Sequence, residues 1–247
     1  MNFPDLAVYL VAGRGSRLGD MTSECPKCLI TVHSVPLLTR SLRQLSHLGV
    51  KKVILVVGYR SEMFQDHYGS SYMGMDIHYV FNPDWSTTNN LVSFDLANPL
   101  IDTDYILLEG DLIYTEDAIG RMNCINSMAV APLETHMDGT VVTINEDHLV
   151  KTMYLKSNKT KYQASDLLYK TVNIYCFSLS SHINVVQPEV KHLLGQGANQ
   201  SYYEQAIAQA IEKQTLAMKA VSFADQLWYE IDTPEDYEKA KDLFKDE

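Results

Sequence analysis

No apolar run in this chain approaches the length needed to cross a bilayer, and Met1-Asn2-Phe3-Pro4-Asp5 lacks the basic start and long apolar stretch of a signal peptide. The expectation is a cytoplasmic chain with no membrane partner. Basic residues are scarce, 20 against 31 acidic ones, and the formal net charge of −11 disfavours a nucleic-acid partner, which needs a basic face. A polyanionic substrate would have to be held by local cations against an adverse overall field. Cysteine is also sparse. The Cys25-x-x-Cys28 pair has no second pair at comparable spacing, because Cys124 and Cys176 stand far apart, so a structural zinc site is not expected. Repeats and low-complexity tracts are absent. With 247 residues, 46% of them hydrophobic, the chain has enough apolar surface for a core of its own.

What is present is a glycine-bearing turn at the end of an apolar strand. Residues 6–11 read as a buried strand that empties into Leu10-Val11-Ala12-Gly13-Arg14-Gly15-Ser16-Arg17-Leu18. Missing side chains there let backbone N–H groups approach an anion, and Arg17 and Lys27 follow where the chain can fold back over it. A dinucleotide fingerprint would place its third glycine before Gly19 and close the strand at 53–57 with an acidic residue; both are missing. The Gly-Lys-Ser/Thr of a P-loop is missing too. A plain surface turn accounts for the glycines but not for Pro26-Lys27.

Leu38, Leu42, Leu45 and Leu48 recur at helical spacing before Gly49, residues 53–57 are an all-apolar strand, and a helix at 61–68 leads into a strand at 77–81. This alternation predicts an α/β fold: a doubly wound, mostly parallel sheet with its ligand site at the carboxyl ends of the strands. Strands at 139–144 and 148–155 predict a hairpin around 145–147, followed by a polar, basic turn at 156–161 and a strand at 170–177, together a small β-rich elaboration. A helix opens at 199–204 with Tyr203, Ile207, Ala210 and Ile211 on one face, and the tail from Tyr237 reads as a surface helix. Two aspartates, Asp111 and Asp232, each end a strand-like run, and Thr233-Pro234 after the second is a helix-start signal. Paired strand-end carboxylates suit Mg²⁺, a hard cation that takes few protein ligands.

Taken together, Leu10, Ala12, Gly13, Gly15, Arg17, Leu18, Thr22, Pro26 and Lys27 closely resemble the signature of the nucleotidyltransferases that activate sugar phosphates and small phosphorylated alcohols. The resemblance implies a Rossmann-like three-layer αβα domain whose loop wraps a nucleoside triphosphate. Leu10, Ala12, Gly13, Arg14, Gly15 and Ser16 would then lie against the nucleotide, with Arg17 and Lys27 holding its phosphates. It also explains the Pro-Lys between Cys25 and Cys28, leaving these as incidental thiols rather than a redox motif. The segment Asn82-Pro83-Asp84-Trp85-Ser86-Thr87-Thr88-Asn89-Asn90-Leu91-Val92-Ser93 resembles that of the cytidylyltransferases acting on phosphocholine and 2-aminoethylphosphonate. That narrows the implied donor to CTP, with Asn89, Asn90 and Ser93 lining the cytidine or acceptor pocket. Asp111 and Asp232 match the family's metal pair.

The segments Lys170-Thr171-Val172-Asn173-Ile174-Tyr175-Cys176-Phe177 and Asn199-Gln200-Ser201-Tyr202-Tyr203-Glu204 look like the phosphonate-activating cytidylyltransferases, which implies that Lys170, Asn173, Tyr203 and Glu204 reach the acceptor. An ammonium on that acceptor would be held by Trp85, Tyr203, Trp228, Glu204 and Glu230 through cation–π contact and charge pairing. Core packing competes with this role for Tyr203.

The expected organisation is one domain over residues 1–247, with a nucleotide-binding half at about 1–125 and an acceptor-binding half at about 126–247. The expected reaction moves CMP from CTP to a small phosphonate or phosphate monoester, 2-aminoethylphosphonate foremost, and releases pyrophosphate with Mg²⁺ as cofactor. Phosphocholine or another phosphorylated alcohol or amino-acid derivative, a hexose 1-phosphate acceptor, and a non-catalytic nucleotide sensor stand as alternatives. Oligomeric state is open, a homodimer included.

Overall fold

The computed structural model describes residues 3–135, 137–156 and 167–246. Leu6–Val11 forms β1, buried along its whole length. After the glycine loop, two 3-10 segments, Ser16–Thr22 and Lys27–Leu29, lead to a short hairpin of β2 (Thr31–Val32) and β3 (Val35–Pro36). Helix α1 (Leu37–His47), β4 (Lys52–Val57), α2 (Glu62–Tyr68), β5 (Ser71–Tyr72) and β6 (Met75–Phe81) follow. Then come α3 (Asn90–Ala97), β7 (Tyr105–Glu109), β8 (Leu112–Tyr114), α4 (Glu116–Gly120) and β9 (Ser127–Pro132). The predicted hairpin is β10 (Val141–Ile144) with β11 (Val150–Tyr154), and the predicted strand after it is β12 (Tyr169–Phe177). Of the predicted basic turn only Lys156 is described; 157–161 lie outside the described residues. The chain ends with α5 (Leu179–Ser181), α6 (Gln187–Gly195), α7 (Glu204–Glu212), β13 (Lys219–Ser222), β14 (Trp228–Glu230) and α8 (Pro234–Leu243). The C-terminal helix starts at the expected Thr233-Pro234 signal and continues through the expected surface segment from Tyr237, though Ala240 and the following Phe244 are buried rather than at the surface.

Parallel strands β6, β4, β1 and β7 lie side by side at the centre of the main sheet. The chain winds from β1 outward through β4 to β6, then returns to lay β7 on the other side of β1. Winding reverses between β1 and β7, and the carboxyl ends of those two strands flank the crevice where open α/β sheets bind ligands. Strand β12 joins β7 antiparallel and carries the β10–β11 hairpin and the β9–β13 pair. The elaboration therefore grows from the edge of the parallel sheet.

Alternation along β1 sends Ala7, Tyr9 and Val11 into one apolar cluster with α1 and α2, and Leu6, Val8 and Leu10 into another with α3, α6 and α7. A third, smaller cluster joins Leu18, Ile30 and Leu37 to Ile113, Ile231, Ala240 and Phe244, which fastens the glycine loop to the C-terminal helix. Among the described residues no helix is long and apolar enough to cross a membrane.

Candidate functional site

The glycine loop leaves β1 and is held in shape from within. Thr22, fully buried, donates its hydroxyl to the carbonyls of Gly15 at 3.1 Å and Gly19 at 3.3 Å. Gly15 has φ +75, and a Cβ there would stand 2.7 Å from Cβ of Lys27. Glycine is needed at this point because the lysine stem lies across the loop.

Lys27 reaches the carboxyl end of β7. Its Nζ donates to Asp111 Oδ2 at 2.8 Å and to Asp232 Oδ1 at 2.6 Å. Two pairings make this meeting possible: β14 lies antiparallel to β8, and Ile231 donates its backbone N–H to the Asp111 carbonyl at 2.9 Å. Thr233 and Asp236 cap α8 reciprocally just beyond, which fixes the turn that presents Asp232. Arg17 completes the group with Nη1 2.8 Å from Asp232 Oδ2, its own side chain still 64% exposed.

Burial opposes the charge on Lys27, but Asp111 and Asp232 overcome it and hold the ammonium's pKa above the ordinary lysine value. Burial would raise the Asp232 carboxyl; Lys27 and Arg17 outweigh that and hold it below the usual range. Glu230 stands beside them and is pushed up, by burial first and by Asp111 and Asp232 second. One carboxylate oxygen each from Asp111, Glu230 and Asp232 lie within 4.8 Å of one another. Asp111 Oδ1 is buried with no hydrogen-bond partner among the described residues. An unpaired carboxylate oxygen within such a set fits a hard divalent cation.

Two clefts open from this cluster. The smaller, ≈ 260 Å³, is lined by Leu10, Ala12, Gly13, Gly15, Arg17 and Lys27 from the glycine loop side and by Trp85, Asn89, Asn90 and Ser93 from the segment before and into α3. The larger, ≈ 540 Å³, is lined by Lys170, Asn173, Glu204, Glu230 and Asp232 among others. Arg17, Glu109, Asp111 and Tyr202 belong to both. The clefts are neighbours, and these four residues mark where they adjoin.

Several expected residues lie elsewhere or are engaged otherwise. Arg14 turns away from the loop's interior, donates Nε to the Thr22 carbonyl at 3.3 Å and sits over the Tyr59 ring; it and Ser16 line neither cleft. Trp85, expected at the acceptor, walls the smaller cleft instead, packed on the Tyr59 ring and on Gly58, where a Cβ would come within 2.6 Å of it. Tyr203 is fully buried between Phe94 and Tyr175 and Trp228 packs at the edge of the first apolar cluster, so neither lines a cleft. Aromatic rings there gain more from the core than from the cleft.

Asn89 caps α3, and Asn90 spans Glu109 and the Tyr203 backbone N–H, so both amides fix the cleft wall they line. Lys170, 2% exposed, pairs with Glu230 at 3.3 Å and donates to the Thr171 carbonyl. Asn173 interrupts β12 with φ +60, inside a bulge, and accepts from Thr171 Oγ1 at 3.0 Å. Glu204 accepts from the Tyr175 hydroxyl.

Glu109 and Tyr202 were not expected. Glu109 could have been found, since it too ends a strand; burial first, then Asp111, Glu204 and Glu230, push its carboxyl well up. Tyr202 had no such signal: periodicity placed Tyr203 on the buried face with Ile207, Ala210 and Ile211, but it says nothing of where a residue ahead of α7, which starts at Glu204, would point. All four cysteines are free.

Residues 7–148, more than half of the chain, match the family model described as the MobA-like NTP transferase domain. The chain belongs to that family. Among relatives of this chain is the CMP-5'-(3-aminopropyl)phosphonate synthase of Streptomyces rubellomurinus, 37% identical over 96% of this chain and 38% of the relative. Another is the choline-phosphate cytidylyltransferase of Streptococcus pneumoniae, 33% identical over 41% of this chain and 42% of the relative. The chain spans less than half the length of such curated relatives. Among solved structures, the CTP:phosphocholine cytidylyltransferase of Streptococcus pneumoniae superposes with TM-score 0.80 at 19% identity, covering 97% of this chain and 99% of that one. The inositol-1-phosphate CTP transferase of T. maritima superposes with TM-score 0.77 at 20% identity, covering 98% and 95%. These likenesses establish the nucleotidyltransferase αβα fold.

Proposed function

We propose that this chain transfers CMP from CTP to a small phosphonate or phosphate monoester, 2-aminoethylphosphonate or a related aminoalkylphosphonate foremost, and releases pyrophosphate. The observation that carries the reading is the meeting of two clefts at Arg17 and Asp111, beside Lys27. Such a layout suits an in-line transfer in which the acceptor oxygen approaches the α-phosphorus of the nucleotide opposite the leaving pyrophosphate. The similarity to the aminopropylphosphonate synthase supports the acceptor class.

The smaller cleft takes the nucleotide, with Lys27 and Arg17 neutralising its phosphates. Asp111 and Asp232, with Glu230, would hold Mg²⁺, which supplies charge neutralisation on phosphate oxygens when bound. The acceptor lies in the larger cleft with its phosphonate towards Lys170 and Asn173 and its ammonium towards Glu204. Its ionised oxygen attacks the α-phosphorus, the bond to the β-phosphate oxygen breaks, and pyrophosphate leaves with the electron pair. An ionised acceptor is already nucleophilic, so positioning and charge neutralisation suffice without a general base.

A phosphocholine acceptor is the second reading, favoured by the similarity to the choline-phosphate cytidylyltransferase. A pyrophosphate-release screen crossing the four nucleoside triphosphates with aminoalkylphosphonates, phosphocholine, phosphoethanolamine and hexose 1-phosphates separates these readings. Release with CTP and an aminoalkylphosphonate is expected; release only with a hexose 1-phosphate, or none with any pair, overturns the proposal.

A further inference from the structure

The Tyr202 side chain has no hydrogen-bond partner among the described residues and stands where the two clefts adjoin. It is 51% exposed, it lines both the smaller and the larger cleft, and its hydroxyl makes no hydrogen bond among the described residues. Its backbone, by contrast, is fastened. Leu91 donates to the Ser201 carbonyl at 3.3 Å, Tyr203 donates to Asn90 Oδ1 at 3.0 Å, and Asn89 donates to the Asn199 carbonyl at 2.8 Å. The loop before α7 is thereby bound on both sides of Tyr202 to the wall of the smaller cleft. A side chain held by a fixed backbone and left unpaired at a junction is preorganised for something that arrives there.

We infer that the Tyr202 hydroxyl donates a hydrogen bond to a non-bridging oxygen of the transferring α-phosphoryl group. The inference rests on the two-cleft reading: if nucleotide and acceptor occupy one cleft each, the phosphorus that changes partners sits where the clefts meet. Of the four residues at that point, Glu109 and Asp111 are acidic, and Arg17, paired with Asp232 through one nitrogen, is the charged donor to the phosphates. Tyr202 is the neutral donor there. Its proton stays on the phenol throughout: the acceptor oxygen bonds to the α-phosphorus, the bond to the β-phosphate oxygen breaks, and pyrophosphate carries off the electron pair. The hydrogen bond strengthens as charge builds on the equatorial oxygens, so it acts on turnover more than on binding.

The test compares wild type, Tyr202→Phe and Tyr202→Ala in steady-state pyrophosphate release with CTP and the best acceptor from the screen. Titrating CTP while following tryptophan fluorescence reports nucleotide binding independently of the acceptor, since Trp85 lines the same cleft. Removal of the hydroxyl alone is expected to lower kcat about tenfold or more, with KM for both substrates and CTP binding within about threefold. Tyr202→Ala should be at least as slow. A Tyr202→Phe kcat within about twofold of wild type, or a loss confined to KM, overturns the assignment while active wild type keeps the cytidylyltransferase reading. Wild type silent with every donor and acceptor removes both.

Discussion

Lys27→Met tests the centre of the site most directly, because it deletes one ammonium while nearly keeping the length and apolar stem of the side chain. That ammonium is 2.8 Å from Asp111 and 2.6 Å from Asp232, with side chains only 12 to 19% exposed. Each charge-assisted bond is worth about 1.5–3 kcal/mol. Two carboxylates left unpaired would be partly relieved by Arg17, which already holds Asp232, and by water entering the cleft. A net loss of about 2–3 kcal/mol remains, and for a chain of this length that lowers Tm by roughly 4–12 °C. Loss of a phosphate clamp in the transition state costs about a hundredfold or more in kcat/KM. The assay pairs thermal unfolding with CTP-dependent pyrophosphate release. Unchanged Tm would refute the ion-pair argument; turnover within about twofold of wild type would refute the phosphate role. Adding Asp232→Asn to Lys27→Met should cost less stability than the two single changes summed, because both remove the same pair.

Further outcomes follow from neighbouring geometry. Asp111→Asn combined with Asp232→Asn should abolish Mg²⁺-dependent pyrophosphate release, and retained activity would remove both carboxylates from the metal role. Gly15→Ala should lower activity tenfold or more, since the new Cβ meets the Lys27 stem and must adopt a left-handed φ costing about 1–2 kcal/mol; a fully active variant with unchanged Tm would contradict that contact. Arg17→Ala should raise KM for CTP about tenfold with Tm almost unchanged, because its pairing is largely exposed; an unchanged KM argues against a phosphate contact. His182 is 1% exposed, and burial lowers its pKa from 6.5 to about 4. The unfolded chain takes up a proton below pH 6.5 that the folded one refuses until about pH 4, so stability is full above that window and falls by about 3 kcal/mol across it on acidification. His182→Asn should flatten that part of the stability–pH curve, and an unchanged slope would refute the assignment.

Local pattern carried most of the N-terminal half. The apolar runs of β1 and β4, the leucine spacing of α1 and the Thr233-Pro234 start of α8 each answer to backbone rules that act over a few residues. Asp111 and Asp232 were legible for the same reason, as carboxylates ending strands. What a one-dimensional pattern cannot hold is which strand ends meet. The antiparallel β8–β14 ribbon brings Asp232 to Asp111, and that pairing also draws Glu230 to the same point. The direction of a side chain is a second gap. Tyr202 and Tyr203 are adjacent and chemically identical, yet one is 51% exposed between the clefts and the other is fully buried. Trp85 went to the smaller cleft because Gly58 leaves room for its ring, and Arg14 turned outward onto Tyr59. The residue types and spacings of this chain thus specified its αβα fold and the chemistry gathered at its strand ends. Long-range strand pairing and the competition between core and cleft for each aromatic ring decided which side chains face the junction, because both depend on contacts between residues far apart in the chain.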